Sequence, residues 1–335
     1  MRAILFRLKL EDFEKFASHL AKFLELPTRH MSMKKTLSWI LLILAFFLLV
    51  ASYFLSEQIL TPSNPSESDD ENLRKQISFS EFELPTPETI RFQNGVLRLR
   101  GWYFKNPKKQ NCGVILLHGF SNFKIQMLPY ATPFWKRGCS LFLYDARAHA
   151  ESDGKYSTYG YHEKMDLERA VEYFSEIDNT PEDRIGIVGI DLGASTALQF
   201  ADGQYEYGFV IADTPYKDMR SYVEHRYESL YSRLIRFFIP LSLSIAELRG
   251  DLLVDEVSPL NTAKMINKPV LILFPNDGDE TQKQDAELIG SNLKTTSKKL
   301  VTYSTQKTLL HQNKTISPAF EMILQSFLKE IKFVK

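Results

Sequence analysis

The feature that most constrains this chain is a series of short, continuous apolar runs separated by helix-length intervals. The runs lie at 113–118, 140–144, 184–189, 208–212, 269–274 and 299–303. A strand apolar at every position, not at every second one, must be covered on both faces, which is the condition of a parallel sheet between helices. Intervals such as 161–177 are long enough to hold the crossover helices that parallel strands require. Ahead of these runs, segments 89–93 and 96–104 flank Asn94-Gly95, a hairpin signal. The interval 216–265 contains no strand pattern and reads as a helical excursion, a lid of about 216–265 over one end of the sheet.

The first eighty residues obey a different rule. Thr36 to Leu55 is an uncharged apolar stretch, long enough to cross a bilayer core as a helix. Lys34 and Lys35 precede it, whereas Glu57, Glu67, Asp69, Asp70 and Glu71 follow it. That asymmetry places the N-terminus in the cytoplasm and the main domain in the periplasm or cell exterior. Residues 1–35 read as a cytoplasmic amphipathic segment, with Phe6, Phe13, Phe16, Leu20 and Phe23 set among charges. A signal peptide starting at Met31 or Met33 is the alternative, but the apolar run is long for one and no small-x-small cleavage site follows. Residues 36–55 are then the anchor, 56–80 a polar linker and 81–335 the main domain.

With Lys plus Arg equal to Asp plus Glu at 41 each, no net charge favours a nucleic acid partner. Two cysteines and seven histidines without a ligand spacing give no metal or cofactor signal.

The chemistry concentrates at Gly189-Ile190-Asp191-Leu192-Gly193. This has the form of a nucleophile elbow, G-x-S-x-G, with aspartate in the serine position. Around it lie His118-Gly119-Phe120, the 145–154 block with Asp145, Arg147, His149 and Ser152, the 158–163 block, Ala212-Asp213-Thr214-Pro215, Val257-Ser258-Pro259, and finally Asp279 and His311. In this order the blocks resemble an α/β-hydrolase of the esterase, acylglycerol-lipase and serine-aminopeptidase type, over about residues 88–333. The resemblance implies an α/β-hydrolase fold: a mostly parallel eight-stranded sheet flanked by helices, with a helical lid, here preceded by one N-terminal transmembrane helix.

That fold would place the strands after Cys112 and Cys139 side by side and parallel, so the resemblance implies neighbouring cysteines. Packed free thiols are the expectation, with a disulfide as the alternative in an oxidising compartment. The resemblance also implies roles. The backbone N–H groups of Phe120 and Leu192 would form the oxyanion hole, His311 would be the general base, and Asp279 would orient it, with Asp277 as the competing acid. The catalytic set would then be Asp191, Asp279 and His311, acting on a small, apolar acyl or ester substrate. His118, Asp145, Arg147 and His149 read as loop braces, and Asp213 as a sheet-top residue without a catalytic duty. Two departures bear on activity. The usual R-G-H-G loop is Arg147-Ala148-His149-Ala150, which suggests a different loop conformation. The ionised Asp191 is a poor nucleophile toward esters but can attack saturated carbon. Dehalogenation of that kind is disfavoured, because Leu192 follows Asp191 and none of Trp39, Trp102 and Trp135 falls in the lid. Epoxide opening has candidate donors in Tyr216, Tyr222, Tyr227 and Tyr231, although an H-G-x-P block is absent. Ser195, one helical turn beyond the elbow, should point into packing. A catalytically silent binding protein is the remaining reading.

Overall fold

A computed structural model describes residues 33–63, 78–108, 110–276, 278–303 and 318–333. His311, Asp277, the N-terminal amphipathic segment and most of the expected linker lie outside the described residues.

Residues from Ser52 onward form one compact unit, with Met33–Ala51 belonging to a separate one. The larger unit is built on an eight-stranded sheet: β1 Glu88–Asn94, β2 Leu97–Phe104, β3 Gly113–Leu117, β4 Ser140–Tyr144, β5 Ile185–Ile190, β6 Phe209–Asp213, β7 Val270–Pro275 and β8 Lys298–Tyr303, in the order β1-β2-β4-β3-β5-β6-β7-β8. β1 and β2 form the hairpin and join β4 antiparallel, and the other pairings are parallel. β3 to β7 are buried at every position, whereas edge strand β8 alternates between exposed and half-buried residues. The continuous apolar runs are thus the two-face burial of a central parallel sheet.

Helices cover both faces. Leu167 and Phe174 of α3 (Glu163–Asp178), Ala194 and Leu198 of α4 (Leu192–Phe200), and Ala286 and Ile289 of α8 (Glu280–Asn292) fill one side. Leu128 and Phe134 of α2 (Leu128–Lys136) and Phe327 of α9 (Pro318–Glu330) fill the other. Between β6 and β7 the chain makes the expected helical excursion, through α5 Met219–Leu230, α6 Ile239–Gly250 and α7 Pro259–Ala263. This is the α/β-hydrolase architecture that the resemblance implies. β4 lies on one side of β3 and β5 on the other, so the chain reverses its direction of travel across the sheet there. The ends of β3 and β5 therefore open the crevice in which such sheets bind ligands.

Two expectations need correction. The apolar helix α1 runs Met33–Leu60, beyond Leu55, so residues 56–60 are helical rather than linker. Leu55, Ile59 and Leu60 are buried with lid residues Met219, Val223, Ile239, Leu243 and Leu252. Tyr159 donates to the Ile59 carbonyl, and the Leu60 carbonyl accepts from the Ser157 N–H. The helix continues because its last turns gain apolar burial that a solvated linker would lack. Cys112 and Cys139 form a disulfide, not free thiols. They immediately precede the paired residues Gly113 and Ser140, a register that brings their Cα atoms to 4.7 Å. In the loop at Arg147, Ala148 and Ala150 adopt left-handed φ of 60° and 44°.

Candidate active site

The elbow is shaped by what its glycines leave out. A Cβ on Gly189 would lie 2.3 Å from the Gly193 carbonyl group, and one on Gly193 would lie 2.3 Å from the Leu117 carbonyl oxygen. With both absent, α4 starts directly against β3 and β5, and the turn is forced through Asp191 at φ 49°, ψ −110°. A non-glycine residue held there stores roughly 1–3 kcal/mol of strain. The side chain is thrust above the sheet end, partly buried.

The Asp191 carboxylate is held from below and above. Oδ2 accepts the Phe120 N–H at 2.9 Å and the Tyr222 hydroxyl at 3.3 Å. The Leu192 N–H and the Arg226 guanidinium also stabilise its charge, while burial, the largest influence, raises its pKa above the ordinary carboxylate value. The two backbone donors that the resemblance assigns to an oxyanion hole therefore face the carboxylate of the elbow itself.

The upper partners come from α5. Tyr222 and Arg226 lie four residues apart on one helical face, and an Arg226 nitrogen is 3.4 Å from the Tyr222 hydroxyl. The Arg226 guanidinium also lies over the Phe120 ring, 5.0 Å from its centre, and Phe120 stacks on Tyr159. Burial and the nearby Asp191 push the Tyr222 pKa well up, keeping its hydroxyl a donor. Tyr216 does not share this role, since its hydroxyl donates to the Tyr159 carbonyl. Tyr227 and Tyr231 stack on one another instead.

Asp279 caps α8, accepting from the Thr281 N–H at 2.7 Å, and its Oδ2 lies 3.1 Å from Nε2 of His225 on α5. The His partner of Asp279 among the described residues is thus a lid histidine. Sequence reasoning named Tyr222 among four tyrosines but missed Arg226 and His225. The i, i+4 pairing of Tyr222 with Arg226 was the available signal.

The remaining blocks brace the crevice. His118 is buried; its Nδ1 lies 2.9 Å from the Gly119 carbonyl, and its Nε2 accepts the Ala146 N–H. Burial lowers its pKa well below the ordinary value, keeping the ring neutral. His149 bridges the Arg147 carbonyl and the Ser121 N–H. Lys124 is buried against Asp145 and also pairs with Glu151, while Arg147 forms a two-pronged pair with Asp166. Ser195 is fully buried, its hydroxyl accepting the Tyr216 N–H. Asp213 is buried between the hydroxyls of Tyr130 and Tyr303, and burial pushes its pKa up to about 6.

No family model matches the chain. The uncharacterized protein YqkD of Bacillus subtilis (strain 168) is 33% identical over 168 residues, 50% of this chain and 55% of that protein. The matched stretch spans about half the length of that relative. Among solved structures, the esterase Pf2001 of Pyrococcus furiosus superposes with a TM-score of 0.60 at 19% identity, over 81% of this chain and 97% of that one. An alpha-beta hydrolase of Vibrio vulnificus gives 0.55 at 18% identity, over 84% and 92%. The acylaminoacyl peptidase of Pyrococcus horikoshii gives 0.55 at 16% identity, over 78% and 43%. At these identities the likeness is one of fold: the larger unit has the α/β-hydrolase fold.

Proposed function

We propose that the protein is a membrane-anchored hydrolase that uses the Asp191 carboxylate as its nucleophile, on a small apolar substrate with an electrophilic saturated carbon, an epoxide being the class that fits. The observation that carries this reading is the hydrogen bond from the Phe120 N–H to Asp191 Oδ2. A serine-type attack on an ester needs those backbone donors for the oxygen of the substrate, whereas here the carboxylate of the enzyme holds them. Ester hydrolysis, the activity that the resemblance implies, is therefore disfavoured.

For a carboxylate nucleophile the same contact is productive. One oxygen is anchored while the other attacks carbon and breaks the C–O bond of the epoxide. The leaving alkoxide takes a proton from Tyr222, which its raised pKa keeps protonated until then. The product of this step is an alkyl ester on Asp191. Water deprotonated by His311 then adds to Cγ, and the negative charge that develops on Oδ2 falls on the Phe120 and Leu192 N–H groups. Collapse expels the diol alkoxide, which takes the proton of the hydroxyl group just added and leaves the carboxylate restored; the proton held by His311 returns to Tyr222. Asp279 or Asp277 would orient His311 in this scheme. The test is turnover of an epoxide panel by the full chain. Asp191→Asn and Asp191→Ala should abolish it, and His311→Ala should accumulate an adduct on Asp191. Equal turnover by wild type and Asp191→Ala would overturn the proposal.

One observation favours a second reading, a silent site that binds a ligand or partner. Tyr222 and Arg226 already cover the carboxylate, so substrate entry requires α5 to move. Ligand binding without turnover, unchanged in His311→Ala, would support it.

α1 supports the anchor: it is long and apolar enough to cross a membrane by length and composition. The charge asymmetry about α1 and the Cys112–Cys139 disulfide both support a domain on the non-cytoplasmic side.

A further inference from the structure

The lid carries an apolar surface that no element among the described residues covers. Side chains three apart eclipse in a 3-10 helix, so the turn Arg233–Phe237 sorts its residues into faces. Ile235 and Phe238 pack onto the lid core. Leu234 and Phe237 are 69% and 75% exposed, and Leu230 and Tyr231 just before them are more than half exposed. Large apolar side chains clustered within eight residues of surface chain signal an interaction site rather than a solvated loop.

The same turn receives the end of the apolar helix. Ser52 Oγ donates to the Phe238 carbonyl at 3.4 Å, and the Tyr231 hydroxyl donates to Gln58 Oε1 at 2.6 Å. Arg249 of α6 donates to Ser56 Oγ and pairs with Glu57. Ser52 follows directly on the exposed apolar stretch Met33–Ala51. The chain therefore leaves its apolar stretch at a residue bonded to the turn that bears the apolar patch.

We propose that Leu230, Tyr231, Leu234 and Phe237 dock the lid onto the bilayer surface from which α1 emerges. This rests on the reading of α1 as a membrane span. Arg233 precedes Leu234, and Arg236, paired with Glu228, lies between Leu234 and Phe237; such side chains lay their stems along an apolar face while holding the cation at headgroup level. Tyr231 has the amphipathic form favoured at that depth. The lid that covers Asp191 would then move at a lipid surface, and an apolar substrate would reach the site from the membrane.

The experiment places the full chain in vesicles whose phospholipids carry bromine high on the acyl chains and reads tryptophan quenching. Trp102 and Trp135 stay in every variant, so each signal is read as the difference from the Trp39→Phe chain. Phe237→Trp in that background reports the patch, and Met322→Trp in the same background, an exposed position on α9, reports a second surface. The difference between wild type and the Trp39→Phe chain reports Trp39 and hence the span. Quenching of F237W severalfold stronger than of M322W is the expected result. Strong quenching of Trp39 with F237W no better quenched than M322W overturns the docking and leaves the span standing. Loss of quenching at both Trp39 and F237W overturns both. Shielding of F237W from an aqueous quencher in lipid-free detergent, growing with protein concentration, would assign the patch to a second copy and also overturn the docking.

Discussion

Two of the turns at the top of the sheet that hold non-glycine residues at positive φ, the elbow and the loop at Arg147, differ in what compels the path. At the elbow, space is decisive: Gly189 and Gly193 face backbone atoms at 2.3 Å, leaving no volume for any side chain. In the Arg147–Ala150 loop conformation alone is at issue, since Ala148 and Ala150 take φ of 60° and 44° with their Cβ atoms accommodated. Crowding against backbone costs several kcal/mol, whereas an L-residue in the left-handed region costs only about 1–2 kcal/mol. That contrast accounts for why the loop tolerates alanine at these two positions. The Arg147–Asp166 pair and the His149 bridges hold the path that alanine does not prefer.

The sharpest way to break the comparison is Gly193→Ala, expected to cost about 3 kcal/mol or more and to unfold much of the sample on a thermal melt. A melt close to wild type would show that the elbow yields. Second in size is a group at the same sheet end whose cost is electrostatic. Asp213, at about 6 in the folded protein, keeps a proton that an unfolded aspartate at about 3.9 has released. Stability from this group is therefore present below about pH 4 and lost as pH rises through 6, by about 2–3 kcal/mol. Asp213→Asn should remove that slope in denaturant titrations from pH 4 to 7. Third, Asp191→Gly should relieve strain at φ 49° and stabilise the fold by about 1 kcal/mol while ending catalysis. The smallest effect is expected for Ala148→Gly and Ala150→Gly, a gain of about 0.5–1 kcal/mol each in chemical denaturation, because left-handed strain slightly exceeds the chain entropy that glycine adds.

The sheet was legible because burial on both faces writes itself as uninterrupted apolar runs, and the elbow because close packing demands glycine at two fixed spacings. What was not legible depends on approach in three dimensions. Arg226 and His225 acquire meaning only when α5 folds over β5 and meets Asp191 and Asp279. The end of α1 reads as polar by composition, yet Ile59 and Leu60 are buried because lid residues arrive from nearly two hundred positions away. The fate of Cys112 and Cys139 depended on strand register together with the redox state of the compartment, which two isolated cysteines do not state.

The central claim is that the Asp191 carboxylate performs covalent chemistry. It is tested most directly by epoxide turnover in water enriched in oxygen-18, followed by mass spectrometry of the peptide containing Asp191. Because water attacks Cγ of the ester, repeated turnover should place heavy oxygen in that carboxylate. A single turnover with excess enzyme should give a diol whose new oxygen is the light one from Asp191. A heavy diol in the first turnover with an unlabelled Asp191 would contradict the account, as would the absence of both turnover and label across the epoxide panel.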